Sequence, residues 1–557
     1  MVAHGRKRNT VSNGRIGIRN DTHPYPPKGR EIKWQNQHFL VRFCHFCGFI
    51  FGRMWYFWCD SATFTDLSLA ECGKFRIFAS TEQTFTIMEE LIGRKQEIRD
   101  LMRCYHSPRS EFAIIYGRRR VGKTFLVSQT FKNQFSFVFT GSHKAPKERQ
   151  LELFAKAIQQ YGNIPYGLDI DNWYHAFDAL ETMLEQSTAQ GKKILFFDEM
   201  PWIDTVRSEF VSALEDFWNT WAARRDDIFL IASGSATSWM VNNLVDNQGG
   251  LHNRITASIH LSPFTLAECE EYLRHHDCVW DRYTITQCYM YLGGIPFYYS
   301  LLDYKKDLAT NIDRLFFWPK SILMNEFNEL YNVLFNGADK YIETVRLLAQ
   351  HREGMTHKEL AKELGFDGSL SRRLKNLENC DFIKCYTQFG NKKKGSIYRL
   401  TDFFTLFYLR FIDGVQKSTG DYWRNRMREP SVLSWQGLTF ELVCLTHVEQ
   451  VRRSLGISGV SVQVSSWRSK QGEAQIDLVV DRADRCIHLC EMKFSTTPFI
   501  ITKEYEMKLR ERMAIFTEET GTRKTLLTTF ITTYGVKQGI HSGIVQNEVM
   551  LDDLFEG

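Results

Sequence analysis

The chain has 557 residues, which is more than one hydrophobic core usually organises, so we expect three or four domains. Hydrophobic residues make up 43% and charged residues 24%, and no uncharged apolar run reaches the length of about 18 residues that marks a membrane span, which predicts a cytoplasmic protein without membrane contact. The net charge of +5 is too small to indicate nucleic-acid binding, so any basic surface must be local.

The first 87 residues differ in character from the rest. They lack helical or alternating periodicity and contain clustered aromatic residues and cysteines, whereas helix patterning begins directly after Met88 in "MEELIGRKQEIRDL". We therefore expect residues 1–87 to be an atypical N-terminal extension, and we hypothesise that Met88 is the native start. A zinc site is the alternative, although the flanking residues lack the usual turns, and its ligands would be Cys44, Cys47, Cys59 and Cys72.

A glycine-rich loop follows the first predicted strand in "EFAIIYGRRRVGKTFLVSQTF". The segment from Gly117 to Thr124 matches G-x-x-x-x-G-K-[ST] between a strand and a helix, which is the context that a phosphate-binding loop requires. Gly117 and Gly122 let backbone N–H groups surround phosphate oxygens. Lys123 is expected to reach the β and γ phosphates, and Thr124 is expected to bind Mg²⁺.

A second apolar strand ends in two acids in "KKILFFDEMPW". This pattern is typical of the other half of an NTPase site, where Asp198 holds Mg²⁺ and Glu199 orients or deprotonates the attacking water. Either acid alone is also compatible with a helix cap before Pro201. The combination with the glycine-rich loop favours the catalytic interpretation.

A third strand, "DIFLIASGSATSWM", ends near Ser235, which we expect to sense the γ-phosphate from the neighbouring strand. Strands alternate with helices across residues 111–262. This alternation predicts a parallel sheet covered on both faces, with nucleotide at the carboxyl ends of the strands.

Together, "LIGRKQEI", "GRRRVGKT", "FFDEMPW", "ASGSATSWM", "LSPFTLAE" and "YLGGIPFYYSLL" resemble the archaeal-type ATPases of the AAA-related STAND group of P-loop NTPases. The resemblance implies a helical lid after the sheet, whose "GGIP" segment, ending at Pro296, lies against the nucleotide. Arg254 in "LHNRI" is a candidate cationic sensor, and an exposed loop arginine is the alternative interpretation. The resemblance runs from about residue 88 to the C-terminus.

Residues 340–400 show the pattern of a winged helix-turn-helix. Two short helices, at Thr356 to Leu364 and Ser369 to Glu378, flank a turn that contains glycine, and a basic hairpin follows. The segment either binds DNA phosphates or only packs against the nucleotide domain. The residues predicted to contact DNA are Arg372, Arg373 and Lys375 on the second helix and Lys392 to Lys394 at the hairpin tip.

Two apolar strands joined by a polar turn, "EAQIDLVVDRADRCIHLCEMKF", form a predicted hairpin near the C-terminus. Asp477 lies on the first strand, and Glu491 and Lys493 share a face of the second because side chains alternate along a strand. Glu441 lies upstream in a segment with helical spacing. We predict that the three carboxylates bind one Mg²⁺ and that the Lys493 ammonium activates water or stabilises charge on a phosphate.

The D…E-x-K arrangement resembles the PD-(D/E)xK nuclease fold, in which the first proline is here replaced by Ile476. The archaeal-type ATPase resemblance also implies a domain of this type at the C-terminus. An E-x-K strand alone is also compatible with a solvated face that carries a cross-strand ion pair.

The predicted architecture is α/β: a P-loop NTPase parallel sheet with a helical lid, a winged helix-turn-helix, and a restriction-endonuclease-like C-terminal domain. We expect ATP and Mg²⁺ as ligands, ATP hydrolysis coupled to DNA binding, and a metal-dependent nuclease-like domain, with oligomerisation possible. The alternative is a nucleotide-controlled regulatory switch that binds DNA or a protein without cutting. The expected domains are 88–262 for the ATPase, 263–335 for the lid, 336–415 for the winged helix and 430–557 for the nuclease-like domain.

Overall fold

The computed structural model of the chain describes most of the sequence after residue 90. The described residues are 91–163, 168–188, 190–245, 251, 253–366, 368–390, 395–415 and 420–556. The expected extension at 1–87, with its four cysteines, and the segment Lys392 to Lys394 lie outside them. All described residues belong to one compact unit, Cys72–Gly557. Within the described ranges, no helix is long and apolar enough to cross a membrane.

A five-stranded parallel sheet organises the first part of the chain. Its strands are β1 (Glu111–Tyr116), β2 (Phe135–Thr140), β3 (Lys193–Asp198), β4 (Ile228–Gly234) and β5 (Ala257–His260). Their order is β2-β3-β4-β1-β5, and every neighbouring pair is parallel. The predicted parallel sheet is therefore confirmed. The carboxyl ends of its strands lie at one edge, where the glycine-rich loop and the acids of "FFDEM" come together.

Both faces of this sheet are covered. Strands β3 and β4 are buried along their whole length, as expected for apolar runs in a parallel sheet. Ile115 packs into the core on one face and Ile114 into the core on the other. The helices of this part are α1 (Lys95–Tyr105), α2 (Lys123–Thr130), α3 (Lys147–Gly162), α4 (Trp173–Gln186), α5 (Met200–Ile203), α6 (Phe210–Thr220) and α7 (Thr237–Met240).

Helices follow the sheet. Thr265 begins the first of them with a capping box, in which its hydroxyl accepts from the Glu268 N–H and the Glu268 carboxylate accepts from the Thr265 N–H. A π-helical turn at Asp313–Phe317 interrupts the series. The α-helices are α8 (Leu266–His275), α9 (Arg282–Leu292), α10 (Pro296–Ser300), α11 (Leu308–Ile312) and α12 (Glu326–Leu334).

A small antiparallel sheet lies in the middle of the chain. Its strand order is β6-β8-β7, and the helices that precede β7 are packed beside it. The elements are α13 (Ala338–Gln350), β6 (Met355–Thr356), α14 (His357–Leu364), α15 (Leu370–Asn379), β7 (Ile383–Tyr386) and β8 (Ile397–Leu400), followed by α16 (Phe403–Phe411) and α17 (Tyr422–Arg426).

The last part of the chain contains a mixed sheet of order β13-β12-β11-β10-β9. Strands β9, β10 and β11 are antiparallel, whereas β11, β12 and β13 are parallel. The hairpin predicted from the two apolar strands is the pair β10 and β11. The elements are α18 (Pro430–Thr446), α19 (Val448–Ser454), β9 (Val462–Arg468), β10 (Gln475–Arg482), β11 (Cys486–Lys493), α20 (Lys503–Thr520), β12 (Thr525–Thr532) and β13 (Asn547–Met550).

The middle hairpin, formed by β7 and β8, contacts the edge of this last sheet. Beyond β7, the Phe389 N–H donates to the carbonyl of Ser466 in β9 at 2.8 Å, and Gln388 forms a parallel bridge with Ser466. The Phe389 ring lies 5.0 Å from that of Phe516 on α20. The hairpin therefore contributes a side chain to the core of the C-terminal sheet.

A buried histidine joins α18 to α8. The Nε2 atom of His447 accepts the Leu266 N–H at 3.0 Å, and its Nδ1 atom lies 2.8 Å from the Val443 carbonyl. This arrangement requires a neutral ring whose Nδ1 carries the proton. Burial lowers the pKa of His447 from 6.5 to about 4.

We predict that His447 makes the fold sensitive to acid. Because the folded pKa lies below the unfolded one, its contribution to stability is complete above pH 6.5 and decreases as the pH falls towards 4. In His447→Gln, the amide oxygen accepts the Leu266 N–H and does not titrate. The free energy of unfolding, measured in urea, should therefore change less steeply with pH than in the wild type, by up to about 1.4 kcal/mol per pH unit.

The exposed His175 provides the control, since His175→Gln removes a histidine that is not buried. An identical pH dependence of the unfolding free energy in the wild type and His447→Gln contradicts the assignment.

Candidate functional site

The glycine-rich loop connects β1 to α2. At Gly117 the φ angle is 142°, and a Cβ atom would lie 2.4 Å from the carbonyl oxygen of Leu261. At Gly122, which precedes α2, φ is 91° and a Cβ would meet no described atom within 4 Å. The first glycine is therefore required by a backbone crossing, and the second by a left-handed turn that leaves space in front of the helix.

Lys123 folds back into this loop. Its Nζ atom donates to the carbonyls of Gly117 at 3.0 Å and Arg118 at 3.1 Å, and to the Ser235 hydroxyl at 3.2 Å. Burial lowers the pKa of this ammonium, while the charges of Glu199 and Asp198 oppose that effect. The loop thus surrounds a buried positive charge that suits a phosphate.

Asp198 ends β3 beside Thr124. The Thr124 hydroxyl donates to Oδ2 of Asp198 at 2.8 Å, and the Ser233 hydroxyl donates to Oδ1. Burial raises the pKa of this carboxyl group. A hydroxyl and a carboxylate at this distance are hard oxygen donors, so Thr124 and Asp198 fit Mg²⁺ bound together with a nucleotide.

Glu199 is held by Ser235 at the end of the neighbouring strand. The Ser235 hydroxyl donates to Oε1 at 2.5 Å, and the Ser235 N–H donates to Oε2 at 3.0 Å. The backbone of Glu199 is left-handed, with φ 47°, which turns the side chain towards β4. Ser235 therefore contacts both the Lys123 ammonium and the predicted general base.

Two further predicted residues lie at different places. Pro296 is the first residue of α10, and the ring of the next residue, Phe297, lies 4.1 Å beneath the Arg120 guanidinium of the loop. Arg254 is exposed and precedes β5, where the Thr256 N–H pairs with Phe112 at the amino end of β1. Because the loop follows the carboxyl end of β1, Arg254 is not brought to this site.

Arg94, in "LIGRKQEI", is a site residue to which sequence reasoning gave no role. It is buried, and its guanidinium donates to the Val121 carbonyl inside the loop at 3.1 Å and to the Ser262 carbonyl at 2.7 Å. The guanidinium also lies 4.6 Å from the Phe264 ring. The motif was visible in the sequence, but an arginine is normally exposed, so only the packing shows that it braces the loop.

Two loop arginines contact elements far along the chain. The Arg118 side chain, 1% exposed, pairs with Asp402 at the start of α16, and the guanidinium lies 5.0 Å from the Phe382 ring. Arg120 pairs with Glu326 of α12 at 2.9 Å. The phosphate-binding loop is thereby tied both to the helices that follow the sheet and to the helix that follows the middle hairpin.

The end of α15 also reaches the nucleotide edge of the sheet. Asp381, just after α15, pairs with His260 at the carboxyl end of β5 at 3.0 Å, and this hydrogen bond raises the pKa of the histidine. The middle segment, from α13 to α16 (residues 338–411), thus contacts the ATPase domain at a second point, separate from Asp402.

The predicted carboxylates of the C-terminal domain lie on β10 and β11. The pairing of Leu478 with Cys490 puts Asp477 opposite Glu491. Asp477 accepts from Gln475 at 2.9 Å and pairs with Arg399 of β8 at 3.2 Å. One predicted metal ligand is therefore neutralised by an arginine of the middle hairpin.

Glu491 is neutralised as well. It pairs with Lys493 at 2.8 Å and with Arg512 of α20 at 2.5 Å, and it accepts from the Tyr505 hydroxyl. Burial acts to raise the pKa of Glu491, but these neighbours outweigh it and the pKa is lowered. Lys493 shows the converse balance, since Glu491 raises its pKa despite burial.

Glu441 on α18 completes the predicted set. Burial, and after it the charge of Asp477, raises the pKa of Glu441 to about 8. The predicted three-carboxylate metal site is not formed in this arrangement: among the described residues, no group of three or more His, Cys, Asp or Glu is placed to hold a metal ion. The physical reason is that arginine and lysine side chains already occupy the carboxylate oxygens of Asp477 and Glu491.

The second helix of the middle segment, α15, corrects one predicted DNA contact. Arg373 is 4% exposed, and its guanidinium donates to the Thr344 hydroxyl of α13 at 3.0 Å. It holds two helices together and does not face solvent. Arg372 and Lys375 are exposed, as the prediction requires.

Comparison with known proteins agrees with the first part of this site. Residues 91–302 match the family model described as an ATPase domain predominantly from Archaea. An uncharacterized protein of Methanocaldococcus jannaschii is 24% identical over 326 residues, which cover 58% of this chain and 68% of that protein.

Two solved structures match part of the chain at low similarity. A Walker-type ATPase of Pyrococcus abyssi has a TM-score of 0.42 and 18% identity, and the match covers 57% of this chain and 96% of that one. The ORC2 protein of Aeropyrum pernix has a TM-score of 0.37 and 16% identity, with 57% and 93% covered. Residues 91–302, which contain Lys123, Thr124 and Asp198, are thus similar to an ATPase domain predominantly from Archaea.

Proposed function

We propose that this chain hydrolyses ATP and uses its nucleotide state to control a DNA-binding winged helix-turn-helix at residues 336–415 and a PD-(D/E)xK nuclease-like domain at residues 430–557. The observation that carries the proposal is the buried pair of Arg118, inside the phosphate-binding loop, with Asp402. Because both charges of this pair are buried, the loop and α16 must keep their positions relative to each other for the pair to form.

The loop residues have distinct roles in hydrolysis. Lys123 would bind the β and γ phosphates, and Thr124 and Asp198 would hold Mg²⁺, which would supply positive charge to screen the phosphates. Glu199 orients the attacking water and takes its proton. Ser235 donates one hydrogen bond to each oxygen of Glu199, which leaves further lone pairs on the carboxylate to accept from the attacking water.

Two charged contacts join the nucleotide site to the middle segment, Arg118 with Asp402 and His260 with Asp381. A third, Arg120 with Glu326, joins the loop to α12. A γ-phosphate attracts the loop cations, so it competes with Asp402 and Glu326 for them. Differential contacts of this kind supply the free energy of a conformational switch.

We predict that Asp402→Asn separates hydrolysis from the response of the middle segment. Asparagine preserves the oxygen that accepts the Thr405 N–H at the start of α16 but removes the charge facing Arg118. Hydrogen exchange in residues 338–411 should differ between ADP and a non-hydrolysable ATP analogue in the wild type, and this difference should be lost in the variant. Leaving Arg118 unpaired should also destabilise the fold by about 3 kcal/mol.

The matched control is Asp413→Asn, which breaks the partly exposed pair with Arg346 in the same segment. Lys123→Ala should abolish hydrolysis and the exchange difference together. A nucleotide-dependent exchange difference that persists in Asp402→Asn rules out this route of coupling.

The exposed side of α15 supports the DNA-binding part of the proposal. Arg372 and Lys375 are one turn apart on this helix, and both are exposed. Cations at this spacing match the phosphates of a duplex, which contribute affinity without sequence information. Their contacts with DNA should therefore depend on salt.

We predict that the double variant Arg372→Ala, Lys375→Ala weakens duplex binding about equally for all sequences and reduces the salt slope of the association constant by about one unit for each lost phosphate contact. Fluorescence anisotropy over a series of salt concentrations measures both. Arg373→Ala is the control: it removes a buried link to Thr344, so it should lower the melting temperature and leave the salt slope unchanged. A wild-type salt slope in the double variant refutes the assignment of α15.

A metal-dependent nuclease is the second candidate function. It is favoured by Asp477 lying opposite Glu491, with Lys493 two residues further on the same strand. In the present arrangement Arg399 occupies Asp477, so these residues do not fit a metal until that contact opens. The pair of Arg399 with Asp477 favours the non-cutting switch.

We predict that Arg399→Gln increases Mg²⁺-dependent nicking of supercoiled DNA at least about tenfold over the wild type, since it frees the Asp477 carboxylate from its cation. Adding Asp477→Ala to this variant should abolish the nicking, whereas adding Asp484→Ala, in the exposed turn after β10, should not. If neither the wild type nor Arg399→Gln nicks DNA with Mg²⁺, with or without ATP, the nuclease is excluded and the non-cutting switch stands.

A further inference from the structure

Three consecutive arginines lie between the two glycines of the phosphate-binding loop, and two of them are committed to structural contacts. Arg118 is buried against Asp402. Arg120 pairs with Glu326 at 2.9 Å and lies 4.1 Å from the Phe297 ring. Neither side chain is available for a phosphate unless these contacts open.

Arg119 differs from both neighbours. It is half-buried, and it forms no hydrogen bond or ion pair with any residue of the described ranges. An arginine without an ion pair usually extends into solvent. Arg119 belongs to a loop whose sequence matches a phosphate-binding loop. The unpaired guanidinium therefore offers five N–H donors at the mouth of the site.

The backbone places Arg119 next to a carbonyl that contacts the Lys123 ammonium. The carbonyl of Arg118, which is bonded directly to the Arg119 nitrogen, accepts from Nζ of Lys123 at 3.1 Å. At Arg120, φ is 73°, so the backbone is left-handed directly after Arg119. The peptide group that links Arg118 to Arg119 therefore contacts the Lys123 ammonium, which is proposed to bind the β and γ phosphates.

The surrounding charges agree with this placement. Burial is the largest cause that lowers the pKa values of Lys123 and His143, and the charge of Arg119 is a smaller cause that lowers both. The charge of Glu199 acts to raise the pKa of His143. The His143 ring lies 5.0 Å from that of Trp202, just after the acids of β3. Arg119 is therefore near both the phosphate-binding ammonium and the side of the site that holds the general base.

We propose that Arg119 contacts the γ-phosphoryl group of ATP bound to the same chain and stabilises the negative charge that develops there during hydrolysis. The water oxygen bonds to the γ-phosphorus, the bond to the bridging oxygen breaks with its electron pair remaining on ADP, and Glu199 takes the proton of the water. Arg119 exchanges no proton. A planar guanidinium suits the equatorial oxygens because it donates two parallel hydrogen bonds.

This inference rests on the hydrolysis of ATP proposed for the site, and the two can fail separately. The full chain is compared with Arg119→Ala and Arg119→Lys, and Arg103→Ala, an exposed arginine on α1, is the control for the loss of a surface cation. The quantities measured are kcat, KM for ATP with Mg²⁺, the Kd of ADP, and the Kd of ADP with aluminium fluoride, which mimics the transferred phosphoryl group.

Arg119→Ala should lower kcat by about 10³-fold and weaken binding of the aluminium fluoride complex comparably, while the Kd of ADP stays within about threefold of the wild type. Arg119→Lys should recover part of kcat because it restores the charge without the bidentate geometry. Unchanged ADP binding also shows that the loop is folded. Arg103→Ala should match the wild type in all four quantities.

Mixing the variants tests whether Arg119 acts within its own chain. Arg119→Ala has an intact Lys123, and Lys123→Ala has an intact Arg119, so recovery of hydrolysis on mixing would show that the arginine serves a neighbouring chain and would overturn the proposal. A kcat within threefold of wild type in Arg119→Ala, or an equal loss of ADP binding, also overturns it. Absence of hydrolysis in the wild type overturns the proposed function itself.

Discussion

The guanidinium of Arg118 is buried, and a buried charge needs a partner of opposite sign, which Asp402 provides. These two residues are 284 positions apart in the chain, so the phosphate-binding loop reaches this arrangement only when α16 is packed against it. Asp402 also accepts the Thr405 N–H and thereby begins α16. One carboxylate therefore serves both the nucleotide loop and the helix that follows the middle hairpin.

The contacts continue from the middle segment to the C-terminal sheet. Arg399 on β8 pairs with Asp477, and Phe389 enters the core formed around Phe516. Apolar packing holds the same elements together, since one hydrophobic cluster extends from Leu101 near the start of the described chain to Phe555 at its end. Among the described residues, packed elements thus join the part of the chain that carries the loop to strands β10 and β11.

In the C-terminal site, too, buried charges are paired with charges of opposite sign, and here the pairing occupies the residues predicted to bind a metal. Asp477 and Glu491 are partly buried carboxylates, and the chain neutralises them with Arg399, Lys493 and Arg512. Glu441 has no ion pair among the described residues, and burial raises its pKa instead. Arginine and a divalent cation compete for the same oxygens. The carboxylate pattern of a nuclease-like strand is therefore compatible with a site in which basic side chains of the same chain occupy the carboxylates.

Several elements were predictable because their signals are local. The loop from Gly117 to Thr124 and the acids at the end of β3 occupy fixed spacings along strands and helices, and the apolar runs predicted the parallel sheet. The hairpin of β10 and β11 followed from alternation and a polar turn. Arg373 was misjudged because the exposure of a basic side chain depends on which helices pack beside it. Arg254 is exposed, as the alternative interpretation of an exposed loop arginine requires.

The sequence by itself determined which residues are able to bind phosphate and which strand ends meet at the nucleotide edge, since spacing along the backbone controls both. Only the tertiary structure decided which charges remain available. Arg118, Arg120 and Asp477 are taken up by partners distant in sequence, whereas Arg119 is left unpaired among the described residues. Electrostatic pairing acts through space, so no local pattern distinguishes three adjacent arginines from one another.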